Sequence, residues 1–185
     1  MNTDFSPLKH IKHIILDMDG VLWTGNTPMP NLPQFFADLA NLGIKVGLAT
    51  NNASKSPDMY VEKFAGMGVT VTEDQIVSAA TATISYLKED YEEETAVYIL
   101  GGKGLKKMMK EAGFVLLTDE EIIGKQKQAE LCVVGYNDEA CYRDFAIAAL
   151  AIRSGARFIG TNPDLSFPSE YGFCLLYTSP SPRDA

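Results

Sequence analysis

Short apolar segments alternate with amphipathic segments along the chain, and their order predicts an α/β fold. Ile11 to Leu16 is apolar on both faces, as in a parallel strand that is covered by helices. Asn31 to Leu42 has its apolar residues on one side, with Asn31 as a candidate cap, a proline in the first turn and a glycine just beyond it, which predicts a helix. A strand at Ile44 to Ala49 and a helix that begins at Ser56-Pro57-Asp58 follow. This βαβα order predicts a doubly wound parallel sheet.

A second alternating series begins after residue 81. It predicts helices at 82–87, 104–112 and 138–154 and strands at 96–100, 131–134 and 158–161. No pair of carboxylates follows any of these strands, so the second series is interpreted as a lid or partner for the first. The predicted division is therefore a first unit over residues 1–81 and a second α/β unit over residues 82–173.

Composition narrows the range of partners. The chain has 185 residues, a formal net charge of −8 and a sequence pI near 4.7, which disfavours binding of nucleic acid through its phosphates. No apolar run approaches the length of a membrane span, so no membrane partner is expected. Three cysteines without a CxxC pair favour a reducing, cytoplasmic location, and Cys132 and Cys141 are both predicted to fill core positions.

The segment IILDMDGVLW, residues 14–23, places two acids at the end of the first strand. Ligands of α/β sheets bind beyond the carboxyl ends of strands, and Asp17, Asp19 and Thr50 all fall there. Residues i and i+2 of an extended segment point the same way, so Asp17 and Asp19 can address one ligand. Two neighbouring carboxylates repel each other unless a hard cation such as Mg²⁺ compensates them.

Phosphoryl transfer through an aspartyl-phosphate fits this arrangement. Asp17 is predicted to attack phosphorus and to bind Mg²⁺. Asp19 is predicted to protonate the leaving oxygen and later to activate water, while its main-chain carbonyl ligates the metal. Gly20 would let the chain turn sharply after the pair.

LATNNAS, residues 48–54, supplies the candidate phosphate site. Thr50 and Asn51, ahead of the helix near Ser56, could hold phosphate oxygens through a hydroxyl and backbone N–H groups, without net positive charge. The alternative for Asn51 and Asn52 is that they are ordinary turn residues. Trp23 is either a substrate-side aromatic or a packing anchor, and the sequence leaves both open.

These two motifs together resemble the haloacid dehalogenase superfamily. Only 32 residues separate Asp17 from Thr50, whereas the second α/β series follows Asn52 and carries GTNPD at 160–164. This placement is similar to subclass IIA, the NagD-like or p-nitrophenyl-phosphatase-like group with a C2-type cap. The resemblance implies a partial Rossmann-like core, the roles above for Asp17, Asp19, Thr50 and Asn51, and Asn52 near the substrate.

The resemblance also implies that the loop from Thr161 to Phe167 faces Asn52, that the substrate is a small phosphorylated metabolite, and that a homodimer through the cap is available to the protein. The family pattern continues with a lysine and with an acidic motif that supplies a third carboxylate for the metal, and neither occurs here. Residues 174–185 are expected to be non-native, and the chain to be a truncated piece of a phosphatase.

Two alternatives accompany this hypothesis. The chain as it stands could be an inactive fragment, or it could be a regulatory module that accepts phosphate without turnover. GGKGL, residues 101–105, lacks the GK[ST] ending and the GxGxxG spacing of phosphate loops, which favours an ordinary tight turn.

Overall fold

The computed structural model describes residues 10–164, 166–169 and 172–175. Its first half contains β1 (His13–Asp17), β2 (Trp23–Thr24), β3 (Thr27–Pro28), α1 (Leu32–Asn41), β4 (Lys45–Thr50), α2 (Pro57–Gly66), β5 (Ile76–Ser78) and α3 (Ala79–Asp90). Its second half contains β6 (Ala96–Leu100), α4 (Lys103–Glu111), β7 (Val115–Leu116), α5 (Asp119–Ile123), β8 (Leu131–Val134), α6 (Tyr142–Arg153), β9 (Arg157–Gly160), β10 (Ser166–Ser169) and β11 (Gly172–Leu175). No helix within these described ranges is long and apolar enough to cross a membrane.

The first sheet is parallel, in the order β1-β4-β5. Its register pairs Asp17 with Ala49 and Thr50 with Ser78, so the carboxyl ends of the three strands lie side by side. One face packs on α1 and α2 around Leu48, Phe64 and Ile76. The opposite face is open within the described residues, because Ile15 is 78% and Val77 56% exposed.

Helix boundaries in the first unit follow the predicted signals only in part. Gly43 has φ +69 and ends α1 as expected, since a residue without Cβ adopts this conformation most readily. Asn31 is the N-cap residue of α1 as predicted, but it lies in the left-handed region and its side chain makes no cap hydrogen bond. Ser56 and Pro57 begin α2 as predicted, although the Ser56 hydroxyl is not used as a cap.

The second sheet is also parallel, in the order β7-β6-β8-β9. Val97 and Ile99 face α3 and α4, whereas Tyr98 and Leu100 face α5 and α6, so both faces are covered. This two-sided burial explains the unbroken apolar run of β8. The predicted α/β class with two parallel units is confirmed.

The remaining differences lie at boundaries. β5 was not predicted, α3 begins at Ala79, and α6 begins at Tyr142, after a turn in which Asn137 accepts a hydrogen bond from the Glu139 N–H.

Cys132 is buried as predicted, but Cys141 is exposed just ahead of α6, so its predicted core role is wrong. The division after residue 81 stays a prediction. The predicted non-native tail, 174–185, lies outside the described residues from 176 onward, while 174 and 175 belong to β11.

Candidate active site

The two acids of the first motif end β1 and begin the turn that follows it. Asp17 is the last residue of β1 and is exposed, whereas Asp19 is partly buried. Gly20 has φ +84, and its N–H donates to the Trp23 carbonyl at 2.7 Å. A side chain at this φ would be strained, which explains the glycine directly after the acids.

Both oxygens of the Asp19 carboxylate accept hydrogen bonds. The Trp23 indole Nε1–H donates to Oδ1 at 2.8 Å, and the Thr50 hydroxyl donates to Oδ2 at 2.9 Å. The first donor lies four residues away in the same turn and the second lies at the end of β4. The predicted meeting of the two motifs at neighbouring strand ends is therefore realised through Asp19.

Thr50 is 6% exposed, and its hydroxyl proton is already used. It donates its single proton to Asp19 and accepts from the main-chain N–H of Asn52 at 3.1 Å. A phosphate oxygen that takes the Thr50 proton must therefore displace Asp19 from it. The predicted phosphate contact of Thr50 thus requires a rotation of its hydroxyl.

Asn51 and Asn52 have different surroundings. The exposed Asn51 donates through Nδ2 to Asp164, and its main-chain oxygen accepts from Asn162 Nδ2 at 3.2 Å. Asn52 instead accepts through Oδ1 from the main-chain N–H and the hydroxyl of Ser54, at 2.8 and 2.7 Å. The loop that begins at Thr161 was expected to face Asn52, and in its described part Asn162 and Asp164 contact the adjacent Asn51.

A cluster of aromatic side chains lies behind the two acids. Its packing decides whether Trp23 is a substrate-side aromatic or a packing anchor. Trp23 is 2% exposed, stacks with Tyr60 at 6.5 Å and meets the edge of Phe64 at 5.0 Å between ring centroids. The Lys63 Nζ lies 4.2 Å from the Trp23 ring centroid and donates to the Gly25 carbonyl at 2.8 Å. Trp23 is therefore a packing anchor with one polar contact, and not a substrate-side aromatic.

This environment shifts the pKa values of two ionisable side chains of α2. Burial raises the pKa of the Tyr60 phenol, and the negative charge of Asp19 raises it further. Its hydroxyl is near Thr50, but no described group meets it in hydrogen-bonding geometry. Burial and the neighbouring Lys55 lower the pKa of the Lys63 amine, while Asp19 opposes that change. The cation of Lys63 partly offsets the negative charge at the acids.

Sequence reasoning missed the roles of Tyr60, Lys63, Asn162 and Asp164. Tyr60 and Lys63 lie one turn apart on an ordinary amphipathic helix, so nothing local marks them. The GTNPD segment was noticed, but a local pattern cannot say which asparagine of the distant LATNNAS segment its side chains contact.

A family model described as haloacid dehalogenase-like hydrolase matches residues 14–115, more than half of the chain. The chain belongs to the haloacid dehalogenase-like hydrolases. An acid sugar phosphatase of Staphylococcus epidermidis is 36% identical over 166 residues, which cover 90% of this chain and 61% of that protein. The chain thus spans about three fifths of the length of the curated relatives it matches.

Solved structures place this haloacid dehalogenase-like chain in the expected subgroup. A 4-nitrophenylphosphatase from Thermotoga maritima is 27% identical, with a TM-score of 0.79, over 91% of this chain and 61% of that one. A glycerol phosphate phosphatase from Mycobacterium tuberculosis, in complex with magnesium, is 26% identical with a TM-score of 0.76, over 89% and 47% of the two chains. These similarities confirm the NagD-like, p-nitrophenyl-phosphatase-like assignment made from the motifs.

The haloacid dehalogenase-like site offers a limited set of metal donors. Among the residues that the structure describes, no three His, Cys, Asp or Glu side chains gather as a metal site. Asp17 and Asp19 still provide two carboxylates at one turn, and one of them is exposed. Magnesium is commonly held by one or two carboxylates together with water and substrate phosphate, so these residues fit part of a magnesium site.

Proposed function

We propose that the protein is a magnesium-dependent phosphomonoester hydrolase that acts through an aspartyl-phosphate on a small phosphorylated metabolite. The observation that supports this most is the contrast between the two acids. Asp17 is exposed at the end of β1, whereas both oxygens of Asp19 are held by hydrogen bonds. A nucleophile needs access to phosphorus, and a general acid/base needs a fixed position.

In the proposed reaction, an oxygen of Asp17 attacks phosphorus and the ester bond breaks. Asp19 gives its proton to the leaving alcohol oxygen. Asp19 then takes a proton from the water that hydrolyses the aspartyl-phosphate, which restores both side chains and releases inorganic phosphate. Thr50 and the backbone N–H groups ahead of α2 would hold the phosphate oxygens, with the positive end of the helix dipole behind them.

Magnesium would be held by the Asp17 carboxylate and the Asp19 main-chain carbonyl. The magnesium complex of the mycobacterial glycerol phosphate phosphatase supports this choice of metal. When bound, the ion would neutralise charge on the phosphoryl group and on the acids. Hydrogen bonds from Trp23 and Thr50 hold the Asp19 carboxylate in place, so its main-chain carbonyl and not its side chain would bind the metal.

The proposed substrate class, small phosphate monoesters, is based on the names of the similar proteins. The names of the similar proteins include sugar, nitrophenyl and glycerol phosphate phosphatases, all of which act on small monoesters. Asn162 and Asp164, which contact Asn51, follow the edge strand β9 of the second sheet and bring that unit next to the candidate phosphate site. A cytoplasmic location and a homodimer through the second unit also remain proposals.

The test is a screen of phosphate esters with Mg²⁺, made on the protein encoded by the complete reading frame, since the chain covers only 61% of its curated relatives. Asp17→Asn should abolish turnover, because an amide is a poor nucleophile. Asp38→Asn is the matched control, because Asp38 is an acid on α1 whose partner is the neighbouring Gln34. Full turnover by Asp17→Asn, or release of a single equivalent of the alcohol without inorganic phosphate by the wild type, would contradict the proposal.

A further inference from the structure

Trp23 is held more rigidly than a packing role alone requires. Tyr60 and Phe64 contact its ring from different directions, at centroid distances of 6.5 and 5.0 Å. Lys63 lies over the ring at 4.2 Å and is itself tied to the Gly25 carbonyl. The β2–β3 hairpin, which pairs Trp23 with Pro28, fixes its backbone. The indole therefore has one orientation, and in that orientation its N–H points at Asp19.

The two groups that donate hydrogen bonds to Asp19 differ in their freedom to rotate. An indole N–H can only donate, and this one cannot turn because the ring is buried and enclosed. The Thr50 hydroxyl can donate or accept and rotates about one bond. Oδ1 is therefore held by a donor with a fixed direction, whereas Oδ2 faces a hydroxyl that can rotate away from it.

We propose that Trp23 is a positioning residue for Asp19, which fixes Oδ1 and leaves Oδ2 as the oxygen that exchanges protons with the substrate. This inference rests on the proposed function, in which Asp19 is the general acid/base. Oδ2 gives its proton to the leaving ester oxygen and takes the next one from the attacking water.

The first experiment tests the contact without activity. Trp23 is the one tryptophan in the sequence, so the purified 185-residue chain has a single indole N–H resonance, which Trp23→Phe would assign by its loss. Asp19→Ala should move this resonance toward the position of free indole and speed its exchange with solvent. Asp17→Ala, a matched carboxylate deletion two residues away, should leave it in place. A wild-type resonance at the free-indole position, or one that Asp19→Ala does not move, would overturn the proposal.

The second experiment tests positioning in the complete protein. Trp23→Phe keeps a ring but loses the N–H donor, and we expect kcat to fall by about 10- to 100-fold, the usual range for a lost hydrogen bond to a charged catalytic group, with KM changed little. Phe36→Leu disturbs the same core cluster through Phe64 and leaves the N–H and the contacts of the indole in place, so it should lower stability and keep kcat. Unchanged kcat in Trp23→Phe, or an equal loss in Phe36→Leu, would overturn the positioning role. Failure of the proposed function would appear differently, as a wild-type protein without turnover.

Discussion

Gly104 lies in the first turn of α4 and is pressed against the segment that follows the candidate phosphate site. A Cβ built on Gly104 would lie 2.9 Å from the Lys55 Cα and closer still to the Ser54 carbonyl oxygen, where ordinary contacts begin at 3.4 Å. Both obstacles are backbone atoms, so no flexible side chain can move aside. Gly104→Ala therefore requires the segment at Ser54 and Lys55 to withdraw by about half an ångström or more.

This displacement would be transmitted to the acids by a series of hydrogen bonds. Ser54 donates twice to Asn52, the Asn52 N–H donates to Thr50, and Thr50 donates to Asp19. Overpacking of this kind costs about 1–3 kcal/mol. The helix preference of alanine over glycine returns up to about 1 kcal/mol. We expect the free energy of unfolding to fall by up to about 2 kcal/mol and kcat/KM by about 10-fold or more, since catalytic groups tolerate errors of only about 0.5 Å.

Gly66→Ala is the matched control, because Gly66 is the last residue of α2 and a Cβ there would meet nothing within 4 Å. This variant should be as stable as the wild type or slightly more so. Urea unfolding followed by Trp23 fluorescence measures stability in the 185-residue chain, and ester hydrolysis measures activity in the complete protein. If Gly104→Ala unfolded at the same urea concentration as Gly66→Ala and kept its activity, the proposed transmission from α4 to Asp19 would be refuted.

Two further predictions concern other parts of the structure. Thr50→Val keeps the side-chain shape but leaves Asp19 Oδ2 and the Asn52 N–H without their partner, so urea unfolding should show a loss of about 1–3 kcal/mol; a stability equal to wild type would contradict the hydrogen-bond geometry. Burial raises the pKa of the Cys132 thiol to about 11, so at pH 8 it should stay protonated and resist iodoacetamide, whereas the exposed Cys141 should react. Peptide mass mapping would distinguish them, and labelling of native Cys132 would argue against its buried position.

The parts of the fold that the sequence predicted well are those with two-sided burial. The strands at 96–100 and 131–134 have the predicted bounds, because helices cover both faces and every residue of the strand is apolar or nearly so. β5 was missed because it has only three residues, too few for a periodic pattern to appear. The start of α6 was placed too early. Asp138 and Glu139 would fit the first turn of a helix as well as they fit the turn at Asn137 in which they lie.

The candidate site was predictable where a topological rule applied. Asp17, Asp19 and Thr50 were brought together by the rule that ligands bind at the carboxyl ends of parallel strands, and the register of β1 on β4 puts those ends side by side. The partners of each side chain did not follow from that rule. The Asn51 contact with Asp164 spans 113 residues, and the Lys63 contact with Trp23 depends on how α2 packs against the β2–β3 hairpin.

The hydrogen bonds around Asp19 suggest why the second α/β unit matters to the acids at all. If the second unit only excluded water, it would need to contact the first unit only at the entrance of the site. Asn162 and Asp164 make such a contact with Asn51. Gly104 instead touches the backbone of the segment after β4, and Ala53 of that segment is buried in the core of the second sheet. The segment from Asn52 to Ser54 is therefore shared by both units. A movement of the second sheet would therefore act on this segment, which is hydrogen-bonded to Thr50 and, through Thr50, to the carboxylate that we propose transfers the proton.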